Sequence, residues 1–247
     1  VSLLELEHVA RLHRHPPSRG TPKGHTAGGA QERTILHDVC LRLDRGELIA
    51  IWGLRRCGRS TLLRIAVGIE PADAGQVRFA GRALSGGAGT ALGGGIGYCV
   101  RAKLDAPSVL DELLLGQLAR GVRGRLARAH AYAALARVSA ADCAARALHE
   151  LDGAEELRVA IARALVLEPA LLVVDDPVRG VDLLARDSIL GLLRSLADEG
   201  VAVLISTDEA TALAGADRAL ALSDGVLRGA TAPELAEVLP LRRRASA

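Results

Sequence analysis

The sequence predicts an α/β fold built on a parallel sheet. Three apolar runs carry that expectation: "ELIAIWG" (47–53), "ALLVVDD" (170–176) and "VAVLIST" (201–207). They are continuous rather than alternating, as strands covered on both faces are. Between the last two, "VDLLARDSILGLLRSLADEG" (181–200) places apolar residues three and four apart, which predicts a helix.

Each further segment finds a place around that frame. "LLELEHVARL" (3–12) alternates enough for a first strand, and "TILHDVCLRL" (34–43) reads as a second. The stretch between them, 13–33, is rich in Pro, Gly, His and Arg and is expected to be a long mobile loop. "EPADAGQVRFAGRAL" (70–84) joins turn residues to a short strand. From about Leu110 to Ala164 the spacing turns helical, which marks an insertion.

Composition narrows the function. The chain has 247 residues, 49% hydrophobic and 24% charged, enough for one large α/β domain or two small ones. A net charge of +2 argues against a nucleic-acid partner. Aromatics are only 2%, so the core must be aliphatic. Cys40, Cys57, Cys99 and Cys143 lie far apart and read as separate reduced thiols. No apolar run approaches a membrane span and no signal-peptide pattern is present.

The chemistry concentrates in "IAIWGLRRCGRSTLLRI" (49–65), which reads as strand, glycine-bounded loop and helix. Gly53 and Gly58 have four residues between them, with Ser60 and Thr61 just beyond Arg59. The spacing is that of the phosphate-cradling pattern G-x-x-x-x-G-K-[ST], with arginine in place of lysine. Lys23 and Lys103 are the only lysines, so this exchange alone says little.

Four more stretches follow in order: "GGIGYCVR" (94–101), "HELDGAEELRVAIARAL" (149–165), "LLVVDDPVRGVD" (171–182) and "LISTDEA" (204–210). With the phosphate loop, the set resembles the nucleotide-binding subunit of ATP-binding cassette (ABC) transporters over nearly the whole chain. The pattern around "HELDGAE" is most similar to the lipoprotein-release and macrolide-export branch. The resemblance implies a P-loop NTPase (RecA-like) core with an antiparallel β subdomain and an inserted α-helical subdomain. Residues 1–228 would form the domain, with the helical part at about 103–162 and a C-terminal helix or tail at 229–247. It also implies ATP and Mg²⁺, membrane permease subunits as partners, and a cytoplasmic position on the inner face of the cell membrane.

In that family two subunits sandwich two ATP molecules, each between one subunit's phosphate loop and the other's "LSGGQ" signature. Carried onto this sequence, the loop is Gly53, Leu54, Arg55, Arg56, Cys57, Gly58, Arg59, Ser60 and Thr61. Ser60 and Asp175 would hold Mg²⁺. Arg56 stands where an inner glycine is usual, and its β-carbon is expected to narrow the cradle. Asp176 replaces the glutamate that polarises the attacking water and is shorter by about 1.5 Å. A shift of ~1 Å at a reacting centre costs about 100-fold in rate.

Arg101 stands for the Mg²⁺-sensing glutamine, and Asp208 for the histidine on the γ-phosphate. Asp208 is also read as the N-cap of a helix over "EATALAGA". The signature becomes Asp152, Gly153, Ala154 and Glu155, whose D-x-x-E spacing predicts a capping box. The adenine-stacking aromatic is missing; Leu12 or His13 lies near its place. His13 with His15 and His25 is either loop or a metal cluster, and Arg242 to Arg244 either a solvated tail or a contact to anionic lipid.

Departures at so many motif positions point to a subunit with weak or absent hydrolysis, paired with a different, competent ABC ATPase subunit. Two other readings remain open on sequence alone. One is an active homodimer with unusual site residues; the other is a nucleotide-free structural subunit of a permease complex.

Overall fold

The protein is described by a computed structural model over residues 2–14, 32–84, 95–99 and 106–229. Two sheets organise these residues. Strands β1 (Leu4–Arg14), β2 (Glu32–Leu43), β4 (Ala74–Phe79) and β5 (Arg82–Ala83) form a four-stranded antiparallel sheet in the order β2-β1-β4-β5.

The second sheet contains β3 (Leu48–Trp52), β6 (Ile96–Cys99), β7 (Leu171–Asp175), β8 (Ala202–Thr207), β9 (Arg218–Ser223) and β10 (Val226–Gly229). Its order is β10-β9-β3-β8-β7-β6, parallel throughout except for β10 against β9. The three runs read as doubly covered strands are therefore neighbours at its centre.

Side-chain alternation divides the core into two layers. Leu48, Ala50, Leu172, Val174, Val203 and Ile205 face the helices α2 (Val109–Leu118), α3 (Gly124–Arg137), α4 (Gly153–Leu165) and α5 (Leu183–Asp198). Ile49, Ile51, Leu171, Val173 and Leu204 share the other layer with α1 (Arg59–Ala66) and the antiparallel sheet. A fully buried Leu or Ile contributes roughly 1.5–3 kcal/mol, and Trp52 and Phe79 add one aromatic ring to each layer of this mainly aliphatic core. An ion pair between half-buried Arg163 and buried Glu112, Nη1 to Oε1 at 3.0 Å, joins α4 to α2.

Helix ends follow their sequence signals. Ser108 caps α2 by accepting from the Asp111 N–H at 3.2 Å, and Asp182 caps α5 by accepting from Leu184 and Ala185 at 3.0 Å. The helix expected over "EATALAGA" does not form. Only a 3₁₀ turn, Ala210–Leu213, is present, and the left-handed Gly215 (φ 88°) closes the segment. Cys40, Cys57 and Cys143 are free thiols. His15, His25, Arg101 and the segment 230–247, with the roles expected of them, lie outside the described residues, as does the His13 side chain.

Candidate functional site

The site lies at the C-terminal edge of the parallel strands, where open α/β sheets bind ligands. The chain leaves β3 at Gly53, whose N–H donates to the Thr207 carbonyl at 3.1 Å. A β-carbon on Gly53 would come within 2.6 Å of both Cys57 Sγ and the Leu222 carbonyl, so glycine is required there. Gly58 begins α1 in a left-handed conformation (φ 106°) with no side-chain cap and no acidic residue in the first turn. Its N-terminal partial charge is left to an external anion.

Arg56 holds φ at 66°, the conformation that suits glycine. The loop thus keeps its glycine-type backbone around an arginine, at a cost of about 1–2 kcal/mol. Leu54, Arg55 and Arg56 are exposed, while Cys57 is half-buried and burial raises its thiol pKa above 9.0.

Arg59 is different: only 6% exposed, it meets the carboxylates that follow β7 and β8. Its Nη1 lies 3.1 Å from Asp176 Oδ1, and its Nη2 donates to Asp176 Oδ2 at 3.5 Å. Asp208 Oδ2 is 4.0 Å from the same Nη2 and 3.4 Å from Arg55 Nε. The shortest of these pairs is not aligned for hydrogen bonding. Arg59 Nη1 and Asp176 Oδ1 are both buried and both lack a hydrogen bond among the described residues.

Asp176 follows β7 in a left-handed conformation (φ 50°), with its N–H donating to the Ser206 carbonyl at 3.1 Å. Burial raises its pKa above 3.8; Arg59 opposes that shift, and the charges of Asp175 and Asp208 reinforce it. Asp175 ends β7 and accepts a hydrogen bond from Ser206 Oγ. Asp208 does not cap a helix, contrary to the sequence expectation. The 3₁₀ turn has Glu209 at its N-cap position with no side-chain cap, and the Asp208 carboxylate is drawn to two arginines instead.

Two cavities meet at Ser60. One, of about 740 Å³, is lined by the loop residues Leu54 to Thr61 and by Thr34, Ile35, His37 and Gly225. The other, of about 750 Å³, is lined by Ser60, Tyr98, Asp175, Asp176, Arg179 and Gly180 among others. Burial and the Asp175 charge push the Tyr98 phenol up to about 12, so it remains protonated. The β2 residues of the first cavity escaped sequence reading because an alternating strand hides which residues meet a loop formed later in the chain. Their one local signal was the exposed polar His37 in an otherwise strand-like run.

Asp152, Gly153, Ala154 and Glu155 line neither cavity. They form the predicted capping box at α4. Asp152 Oδ1 accepts from the Ala154 and Glu155 N–H groups at 2.8 Å, and Glu155 Oε2 accepts from the Asp152 N–H at 2.9 Å. Arg146 bonds Glu155 at 2.6 Å. A β-carbon on Gly153 would meet the Gly180 carbonyl at 2.7 Å, so this helix start is pressed against the segment after β7.

The ABC transporter family profile matches residues 36–179, more than half of the chain and spanning the loop and both β7 carboxylates. The chain belongs to the ABC transporter family. It is a nucleotide-binding subunit of that family, with the P-loop NTPase fold. It is 35% identical over 238 residues to the aliphatic sulfonates import ATP-binding protein SsuB of Cupriavidus necator, covering 91% of this chain and 76% of that one. It is 35% identical over 215 residues to the lipoprotein-releasing system ATP-binding protein LolD of Jannaschia sp., covering 83% and 93%. The structure resembles a bacterial ABC transporter cassette solved as a dimer, with a TM-score of 0.78 at 22% identity over 91% and 96% of the two chains. A nucleotide-free ABC cassette gives 0.78 at 21% identity over 96% and 98%. Among the described residues no helix is long and apolar enough to cross a membrane.

The residues present fit a nucleotide in part. The uncapped start of α1 and the unmet donor on Arg59 suit phosphate oxygens. The Ser60 hydroxyl and the Asp175 carboxylate offer hard oxygen donors that suit Mg²⁺. Against this, two carboxylates already neutralise the cation beside the loop.

Proposed function

We propose that this chain is a nucleotide-binding ABC subunit whose own site hydrolyses ATP weakly or not at all, and that it works beside a different, competent ATPase subunit beneath a membrane permease. The observation that carries this reading is the ion pair of buried Arg59 with Asp176, flanked by Asp208 at 4.0 Å. Asp176 stands where the water-polarising carboxylate is expected, and its charge is spent on the guanidinium that should meet phosphate. A γ-phosphate must displace that pair and approach Asp208, a carboxylate.

Nucleotide held here would lie on Gly53 to Thr61, with Ser60 and Asp175 holding Mg²⁺. The ion would offset the charge of phosphate held at the loop. The capped start of α4 supports the same reading from the other half of a shared site. The Asp152 carboxylate occupies the N–H groups of Ala154 and Glu155 and repels an incoming phosphate. We assign residues 1–228 to the nucleotide-binding domain, with a helical subdomain at about 103–162, and place the subunit on the inner face of the cell membrane. Relatives named for import and for lipoprotein release match at the same 35% identity, so no direction of transport is assigned.

Purification of the native complex tests the pairing. The expected result is a second, different cassette chain, with nucleotide retained at the site that uses this chain's loop. A complex holding only copies of this chain and turning over ATP would contradict it.

A further inference from the structure

Outside the nucleotide site, the described residues bring three unlike metal-ligating groups together on the exposed side of the antiparallel sheet: His8, Asp38 and Cys40. Asp38 and Cys40 are two apart on β2. His8 joins them from β1 at an irregularity in the pairing, where the register jumps between Leu6 and Val9. His8 (φ 53°) and Asp38 (φ 49°) both leave the regular strand conformation, and bulges of this kind re-aim side chains. The neighbouring Val9, Val39 and Leu41 are buried in the core, which fixes the backbone beneath the group.

One imidazole atom faces both partners. His8 Nδ1 is 2.6 Å from Asp38 Oδ1 and 3.9 Å from Cys40 Sγ, and the His8 backbone N–H lies 3.4 Å from the same sulfur. A nucleophilic triad needs the two ring nitrogens on different partners, one toward sulfur and one toward carboxylate. Here sulfur, nitrogen and oxygen all lie within 4.8 Å of one another. That convergence is what a cation requires.

We propose that His8 Nδ1, Asp38 Oδ1 and Cys40 Sγ form a three-ligand site for a borderline divalent transition metal, Zn²⁺ first. Mixed S, N and O donors select such ions over Mg²⁺ or Ca²⁺. Bond lengths of ~2.0–2.3 Å put tetrahedral ligand atoms ~3.5 Å apart. The His8–Asp38 contact must therefore open by somewhat under 1 Å and the His8–Cys40 separation close by less, within reach of exposed side chains. Binding releases the thiol proton, and the imidazole keeps its proton on Nε2. Three protein ligands leave the fourth position to water.

The test is titration of the reduced full chain with Co²⁺, read by the near-ultraviolet thiolate-to-cobalt charge-transfer band. One equivalent should saturate the band, and one equivalent of Zn²⁺ should remove it. Cys40→Ser should abolish the band, and His8→Ala and Asp38→Ala should each weaken binding at least about tenfold. Cys57→Ser should leave the band unchanged. Circular dichroism of each variant confirms folding, and His8→Ala reports independently should Cys40→Ser misfold. Absence of the band, its survival in Cys40→Ser, its loss in Cys57→Ser, or its insensitivity to both His8→Ala and Asp38→Ala would overturn the site.

Discussion

Helices α1 and α4 both begin in segments expected to face phosphate, yet their first turns are built in opposite ways. Gly58 opens α1 with no side-chain cap and no acidic residue in the first turn. Asp152 opens α4 with its carboxylate on two N–H groups, Glu155 returning to a third, and Glu156 adding charge. A helix N-terminus can serve an anionic ligand or its own cap, but the same N–H groups cannot serve both. Under the proposed reading the contrast separates two losses. At α1 the cradle is open and its cation is paired with carboxylates that follow β7 and β8; at α4 the N–H groups are already bonded by the cap.

The largest effect should come from the buried pair. Arg59→Ala leaves Asp176 buried without its cation and should cost about 3–5 kcal/mol in urea unfolding. Adding Asp176→Ala to that variant should recover most of the loss, because the uncompensated charge is then gone. If both variants unfold alike, Arg59 contributes packing rather than charge.

Removing the competing carboxylates should come next. Asp176→Asn with Asp208→Asn should raise affinity for a non-hydrolysable ATP analogue by about tenfold, the equivalent of one pKa unit. The wild type should show part of this effect as pH falls. The folded pKa of Asp176 lies above its ordinary 3.8, so protonation begins above that value and frees Arg59 for phosphate. Affinity should therefore rise on acidification through the raised pKa, and Asp176→Asn should remove that dependence apart from the analogue's own titration. For stability the sign is the same: this carboxyl disfavours folding at neutral pH, and the penalty fades as pH falls toward 3.8.

At α4 the expected effects are smaller. Asp152→Ala should cost about 1 kcal/mol through the lost cap, measured by urea unfolding. Asp152→Ser should retain most of the cap while removing the carboxylate. Smallest of all, Arg56→Gly should stabilise the chain by up to about 1 kcal/mol by relieving the left-handed loop position, visible as a raised urea midpoint.

The same contrast explains what the sequence could convey. The strands β3, β7 and β8 and the capping box at Asp152 were legible because their causes are local: continuous apolar runs, and a D-x-x-E spacing within one turn. The engagement of Arg59 by Asp176 and Asp208 was not, because those partners lie more than a hundred residues away and ion pairing leaves no local pattern. Asp208 shows the cost of local reading. Asp before an alanine-rich run has the signature of a helix cap, but two arginines from the loop compete for the carboxylate and only a 3₁₀ turn follows. His37 and Gly225, brought to the loop by a backbone hydrogen bond of 2.7 Å, depend on sheet assembly in the same way.

The central claim is that charges within the chain close its phosphate site to catalysis. Steady-state ATP hydrolysis by the purified chain, beside the variant Arg59→Lys/Asp176→Glu/Asp208→His, tests it most directly. Background turnover is expected for the wild type and a measurable gain in the variant. Wild-type turnover of ~1 s⁻¹ or more, within the ordinary enzymatic range and abolished by Asp175→Ala, would contradict it.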